Sequence, residues 1–420
     1  MKGSLIQLVS YGAENLHLMQ DPEITFFKKV YKRHTSFSIE SIDIQVQNPR
    51  FDSMTTVIIR KDGDLISRMY LEFTLPYDPT LTTTFWTNRV GFNILQKIEL
   101  YIGTNLVDRS YGLWCHIWSE LTHTIDKKHT LDILVGTKGA DGVSAGISAT
   151  KPWKLVVPLM FSFCRHSGCA IPVVALSEGI DISLNIYFEA LENCIQTGDL
   201  PNGTMTDVKL WVDYIYLERQ ETLDIVQNRI EYLIEVNQHI LRNTTNIEEV
   251  IYLPFTLSVK EILWVVQSNN IRDDITRDKF TDFTAIPKDI TTDIFATMNN
   301  TSNEITTMSN RTSAVVGVQF YFNSNPVFSS YSDIRPFDYF NYVIPYLCHT
   351  GFPDLGINAY SFALYPEQLD PSGIINFSAL DNNSNSLNII TNDDGICSIF
   401  AHSYNILAIE GGEASLVYTF

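Results

Sequence analysis

The residues whose types and spacing could do chemistry are few. His116, Glu120 and His123 stand at i, i+4 and i+7, so a helix would line two imidazoles and a carboxylate along one face, a donor set of the kind zinc takes. Asp126 and His129 lie just beyond. The spacing departs from H-E-x-x-H, and Trp114, Ile117, Trp118 and Leu121 give the same segment a packing role. A polar helix face therefore accounts for it. Cys164 and Cys169 flank His166, but no complementary pair lies near, and Phe161-Ser-Phe163 before them reads as strand. Buried, inert thiols are the expectation. The chain has no G-x-S-x-G elbow, phosphate loop or dinucleotide fingerprint. No catalytic, cofactor-binding or metal-ligating residue is assigned, and the chain reads as a non-enzyme.

Charge narrows the partners. The net charge is −19, from 29 basic and 48 acidic residues, which disfavours a polyanion such as DNA or RNA as a direct partner. Lys28, Lys29, Lys32 and Arg33 form a local cluster of opposite sign, either a solvated helix face or a contact for anionic lipid or acidic protein. The six cysteines contain no C-x-x-C and are too sparse for a disulfide scaffold, so reduced thiols are expected. Met1 to Leu18 lacks the pattern of a signal peptide, and no run of 18 apolar residues occurs. N-x-[ST] patterns include Asn299, Asn300 and Asn310, which would sit on an exposed loop and could carry sugar.

The elements that must position these residues are mainly strands. Hydrophobic residues make up 45% and charged residues 18%, with 24 Phe and 20 Tyr, a composition that favours packed sheets. Ile180, Ile182, Leu184, Ile186 and Phe188 alternate with Asp181, Ser183, Asn185 and Tyr187. The same period of two recurs in Ile98–Ile102, Val208–Tyr216, Val318–Phe322 and Leu387–Ile389. Two helices are expected. One has Asp21 as N-cap, Pro22 at its first position and a stripe of Phe26, Phe27, Val30 and Tyr31; the other runs from about Leu113 to Ile125. Residues 273–312, rich in Thr, Asn and Asp, read as a long exposed loop.

An internal repeat organises the chain. Ile98-Glu-Leu-Tyr-Ile-Gly-Thr-Asn-Leu-Val-Asp-Arg-Ser-Tyr111 aligns without a gap on Val318-Gln-Phe-Tyr-Phe-Asn-Ser-Asn-Pro-Val-Phe-Ser-Ser-Tyr331. In the same order, Ala175-Leu176 and Ser183-Leu-Asn-Ile186 match Ala379-Leu380 and Ser386-Leu-Asn-Ile389. Two ordered matches predict one domain built twice. The expected division is an amino-terminal segment over 1–36, a first domain over 37–218, a linker over 219–236 and a second domain over 237–420.

Gln7-Leu-Val-Ser-Tyr-Gly-Ala13 and Pro22-Glu-Ile-Thr-Phe-Phe-Lys-Lys-Val-Tyr-Lys-Arg33 resemble the major capsid proteins of nucleocytoplasmic large DNA viruses. Further matches follow in family order: Gly63-Asp-Leu-Ile66, Trp211-Val-Asp-Tyr-Ile-Tyr-Leu217, Glu231-Tyr-Leu-Ile-Glu235, Tyr360-Ser-Phe-Ala-Leu364, Pro371-Ser-Gly373 with Asn376-Phe-Ser378, and Tyr404-Asn-Ile-Leu407. The resemblance implies an all-β chain of two tandem eight-stranded antiparallel jelly rolls with a short amino-terminal helical segment. It also implies a homotrimeric capsomer with pseudo-hexagonal outline in an icosahedral virion shell, assembled in the host cytoplasm. The partners it implies are the chain itself, neighbouring capsomers and minor capsid proteins. The amino-terminal segment, with Lys28, Lys29, Lys32 and Arg33, would lie on the inner face, where a membrane surface is a further candidate partner. The chain departs from the pattern at Ala408-Ile-Glu-Gly-Gly-Glu413, where the family commonly has an Arg before a Gly- and Met-rich turn. Two rival readings share the β-rich composition. A carbohydrate-binding module would need paired aromatics on a concave sheet, and a sugar-modifying enzyme would need an acid/base pair.

Overall fold

One-sided apolar strands become stable only when a second layer covers the apolar side. The computed structural model describes residues 3–10, 12–137, 147–245, 248–274, 277–285, 312–328, 335–336, 338–381 and 384–418. The chain divides into two units, Met1–Phe37 and Ser38–Phe420.

The first unit carries two short helices, α1 (Gly3–Val9) and α2 (Leu16–Met19). Residues 21–33, expected as a helix, are not helical. Asp21 has φ 51°, in the left-handed region, whereas an N-cap needs extended backbone. The stripe that would drive folding has no cover: Phe26, Phe27, Val30 and Tyr31 are 89%, 98%, 81% and 76% exposed. A short helix without a buried face is marginal in water.

The larger unit is built from the strand pattern. Its first roll has β1 (Phe37–Gln45), β2 (Met54–Ile59), β3 (Leu65–Thr74), β4 (Leu95–Ile102), β5 (Asn105–Ser110), β6 (Lys154–Pro158), β7 (Ile182–Phe188) and β8 (Thr206–Leu217). They form two four-stranded layers, β1-β8-β3-β6 and β2-β7-β4-β5. The second roll has β9 (Ile230–Thr244), β10 (Glu249–Tyr252), β11 (Ser258–Ser268), β12 (Val315–Phe322), β13 (Asn325–Pro326), β14 (Asn358–Ser361), β15 (Ser386–Thr391) and β16 (Gly395–Glu410). Its layers are β9-β16-β11-β14 and β10-β15-β12-β13, the same order with every strand number raised by eight. The ladders of the second roll are antiparallel. This is the double jelly roll that the repeat and the resemblance imply.

The duplication extends to irregularities. Between β8 and β3, Asp213 faces Arg68 and Tyr214 faces Ile66, so Ser67 is an extra, bulged residue. Between β16 and β11, His402 faces Glu261 and Ser403 faces Val259, so Lys260 is extra in the same place. Bulges aim side chains and are built into a fold, so their coincidence fixes the residue equivalence of the two rolls. The repeated segments are the hairpins β4–β5 and β12–β13, each with a two-residue turn. Asn323 and Ser324 turn the second with φ 48° and 62°, the type I′ geometry that suits the strands' twist. The Ala-Leu matches close the 3-10 turns Val173–Ala175 and Phe377–Ala379, which lead into β7 and β15.

Burial follows the alternation. Ile182, Leu184, Ile186 and Phe188 of β7 point into the first sandwich, and Trp264, Phe320, Phe340 and Ile399 fill the second. The expected helix near residue 113 is present as α3 (Gly112–Thr122), followed by α4 (Ile125–Val135). Within the stretch expected as a linker, α5 (Arg219–Gln227) precedes β9, which begins at Ile230. Phe161-Ser-Phe163 is not a strand: Ser162–Arg165 is a single helical turn, whose Ser162 hydroxyl accepts from the Glu235 N–H at 3.0 Å. The start of the expected exposed loop is also packed, since Phe280 and Phe283 are buried. Asp278 accepts from the Asn88 N–H at 2.6 Å and ties this segment to the first roll. Residues 286–311, including Asn299, Asn300 and Asn310, lie outside the described residues.

Candidate functional site at the seam between the rolls

The histidine face of α3 is occupied by an arginine. Arg89, at φ 50°, reaches Glu120 at 2.6 Å and Asp132 at 2.9 Å, and donates to the Ser119 hydroxyl at 2.8 Å. Its guanidinium also lies 3.0 Å from His116 Nδ1, and Lys128 pairs with Glu120 from the other side. A carboxylate held by two cations is spent as a ligand. Burial, with Arg89 and Lys128 nearby, holds the His116 imidazole well below its ordinary range, and burial brings His123 down to about 4. Neutral rings in a cation-filled pocket serve packing.

The cysteines follow the inert expectation: none of the six is paired in a disulfide. Burial pushes the Cys115 thiol up to about 11 and Cys164 up to about 12, which removes the thiolate that reactivity needs. His166 is exposed and uses Nδ1 to accept from the Gly168 N–H at 3.1 Å.

The densest chemistry lies where the second roll meets α3. One side of β11 and β16 faces the second sandwich; the other, bearing Leu263, Val265 and Phe400, joins the core that includes Trp114, Trp118 and Leu121 of α3. Trp114 and Trp118 stack at 5.4 Å, and His402 stands edge-on to Trp118 at 4.9 Å. Arg165 lies 4.8 Å from the Trp118 ring centre, a cation–π approach. Around this aromatic pair runs a chain of ions. Glu235 pairs with Arg165 at 2.6 Å, with Lys260 and, at 3.4 Å, with His402. His402 reaches Glu261 at 3.0 Å, and His349 approaches Glu261 at 3.2 Å and Glu367 at 3.5 Å. The side chains of Lys260, Glu261, His349 and His402 are fully buried.

Burial alone would raise Glu235, but Arg165, His402 and Lys260 hold its carboxyl well below the usual range. For Glu261 the histidines likewise outweigh burial and bring it down to about 2. Burial would lower His349, yet Glu261 and Glu367 lift it to about 9. The arrangement contains cations and anions that satisfy one another, with no nucleophile held against a base. Its capability is to hold three strands of one sheet in register and, through Arg165, to tie that sheet to the first roll.

Two further clasps flank the ions. The Gly351 N–H donates to the Leu121 carbonyl at the end of α3 at 2.6 Å. On the far side the 408–413 departure becomes a hairpin turn: Glu410 pairs with Glu413, and Gly411 and Gly412 sit at φ 62° and 86°. The strand it begins, β17 (Glu413–Leu416), accepts at the Ala414 carbonyl from Asn105 of the first roll at 2.8 Å.

Sequence reasoning singles out the α3 face but misses Arg165, Lys260, Glu261, His349 and His402. A usable signal is present: Lys260-Glu261 interrupts the continuous apolar run Val259–Val266, where only paired charges are tolerable. Lys28, Lys29, Lys32 and Arg33 are exposed on the smaller unit and are not gathered on a helix. Among the described residues no cluster of three potential metal ligands occurs, and no helix is long and apolar enough to cross a membrane.

Comparison with known proteins agrees with this architecture. Residues 25–218 match the family "Major capsid protein N-terminus", and residues 218–415 match "Large eukaryotic DNA virus major capsid protein". The chain is 32% identical over 421 residues to the major capsid protein of Pyramimonas orientalis virus, covering 100% of both chains. It superimposes on a chain of the PBCV-1 virus capsid with a TM-score of 0.76 at 25% identity, covering 94% of this chain and 100% of that one. The Faustovirus major capsid protein shares the fold, with a TM-score of 0.70 at 13% identity and coverage of 97% and 96%. With its duplicated rolls and a seam built for cohesion, the chain belongs to the major capsid proteins of the nucleocytoplasmic large DNA viruses, structural proteins of the virion shell and not enzymes.

Proposed function

We propose that three copies of this chain associate into a capsomer of six jelly rolls, and that such capsomers tile the icosahedral shell. The observation that carries the reading is the bulge-matched duplication: two near-equivalent lobes per chain let threefold association approximate a hexagon, which one lobe per chain could not. The Arg165–Glu235 pair, which ties the first roll to the ion chain of the second, supports it, because fixed lobes are what a lattice requires. The units are a first roll over 37–218 and a second over 237–420, whose first strand reaches back to Ile230 within the joining stretch 219–236, with 1–36 on the inner side of the shell. Electron microscopy of the purified protein tests this. Particles with hexagonal outline and threefold symmetry are expected; isolated single-chain particles would refute it.

Finer parts of the reading follow from the same frame. Assembly takes place in the host cytoplasm, and the inner segment meets minor capsid proteins or an underlying membrane through Lys28, Lys29, Lys32 and Arg33. Reversing Lys28, Lys29 and Lys32 to Glu should release those contacts in assembled particles; unchanged contacts would refute the assignment. Sugar at Asn299, Asn300 or Asn310 would appear as added mass on the intact chain, and a bare polypeptide mass would remove it.

A further inference from the structure

A cavity of about 200 Å³ opens where the two rolls meet, away from the ion chain. It is smaller than the roughly 300–1,000 Å³ of a drug-sized site. Asn93, Glu189 and Asn193 of the first roll line it, together with Gln267, Arg272 and Lys279 of the second. Beside it the rolls are clamped. The Lys279 N–H donates to Gln196 Oε1 at 3.0 Å and Lys279 Nζ to the Ile195 carbonyl at 3.2 Å, while Gln267 Nε2 donates to the Lys279 carbonyl at 3.2 Å.

Charge sets this cavity apart. Arg89, Arg109, Arg165 and Arg277 are buried or half-buried, and each holds a carboxylate. Arg272, on the short helix Asn269–Asp273, is half-buried as well, yet pairs with no carboxylate among the described residues. A guanidinium partly withdrawn from water gains from an anion brought to it. Lys279 supplies a second cation, with one of its three donors committed. The cavity's carboxylate, Glu189, accepts from Asn193 Nδ2 at 2.6 Å. The other amide donors are committed too: Asn93 Nδ2 to the Thr87 hydroxyl and the Asn193 carbonyl, and Gln267 Nε2 to the Lys279 and Phe280 carbonyls. What these amides leave for a ligand is their acceptor oxygens.

We propose that this cavity binds a small hydroxylated phosphate monoester, with its phosphoryl oxygens on Arg272 and Lys279 and its hydroxyls on the side-chain oxygens of Asn93 and Gln267. Arginine offers paired N–H donors that match two phosphoryl oxygens, and lysine offers a point charge. Two cations suit a doubly charged phosphate better than a singly charged carboxylate. Because both rolls contribute walls, the bound molecule braces one roll on the other and stabilises the chain by mass action. The site stands independently of the trimer reading.

Isothermal titration calorimetry of the full-length chain with glycerol 3-phosphate, at constant ionic strength, tests it. The wild type should bind, and its Tm should rise with ligand concentration, whereas glycerol alone should do neither. Arg272→Gln should weaken binding about tenfold or more. Arg68→Gln, at an exposed position that does not line the cavity, should bind as the wild type does. A wild type that fails to bind, or an Arg272→Gln variant that binds equally well, would overturn the site. Equal weakening by Arg68→Gln would also overturn it, since the attraction would then belong to surface charge in general. Inorganic phosphate binding as tightly as the ester would overturn the role given to the amide oxygens. If Arg272→Gln misfolds by circular dichroism, Arg272→Lys takes its place: it keeps the charge, loses the paired donors and should bind severalfold more weakly.

Discussion

Replacing Glu235 by Gln keeps the shape of the seam and removes one charge from its centre. The side chain is 4% exposed and pairs with Arg165 at 2.6 Å, with His402 at 3.4 Å and with Lys260, whose own side chain is fully buried. Without the carboxylate, Lys260 lies too deep to reach solvent, and burial already pushes its ammonium down. Removing one partner of a buried ion pair typically costs about 3–5 kcal/mol. At roughly 2–4 °C per kcal/mol for cores of this size, Tm should fall by about 6 °C or more. Trp114 and Trp118 stand beside the ions, so tryptophan fluorescence during thermal and urea unfolding reports the loss. The companion variant Glu235→Gln/Lys260→Met should recover part of the loss, since Lys260 is no longer stranded, although Arg165 still lacks its carboxylate. Losses below about 1 kcal/mol for Glu235→Gln, or additive losses in the pair, would refute the view that these charges hold the seam together.

Other outcomes follow from neighbouring residues. His349 has a folded-state value of about 9, above its ordinary 6.5, so its stabilisation is complete below pH 6.5 and is lost as pH rises through 9. His349→Gln should therefore lower Tm at pH 6 and nearly match wild type at pH 10; a constant difference would contradict the linkage. Burial raises Asp108 to about 8 from an ordinary 3.8, so stability also drains between those values, and Asp108→Asn should flatten that slope in a Tm–pH series. Trp264, fully buried and 5.2 Å from Phe340, anchors the second sandwich; Trp264→Ala should cost about 3–5 kcal/mol in urea unfolding. A Cβ on Gly351 would collide with the Glu120 carbonyl oxygen, so Gly351→Ala should destabilise by about 1–3 kcal/mol in the same assay.

Local pattern is what the order of residues makes legible. The alternation of Ile182 to Phe188 is forced by a one-sided sheet, and the repeated hairpin carries its turn residues in the chain itself. The packing stripe Trp114, Ile117, Trp118 and Leu121 places α3 within a few residues. Residues 21–33 mislead because capping residues and an apolar stripe describe a helix's preferences, whereas stability needs a surface to cover the stripe. The ion chain is hidden for a different reason. Arg165, Glu235, Lys260, Glu261, His349, Glu367 and His402 are scattered over more than half the chain; the pairing of three strands far apart in sequence gathers most of them, and the docking of the first roll adds Arg165. The histidines of α3 show the converse: their spacing suits a metal, but Arg89, a residue at an unusual φ from outside the helix, lies against His116 and takes up Glu120.

Native mass spectrometry of the purified full-length chain bears most directly on whether two rolls per polypeptide exist to serve threefold assembly. A dominant species at three times the 47.8 kDa chain mass, persisting on dilution, is the predicted result. A chain that flies as a single copy at every concentration would contradict it.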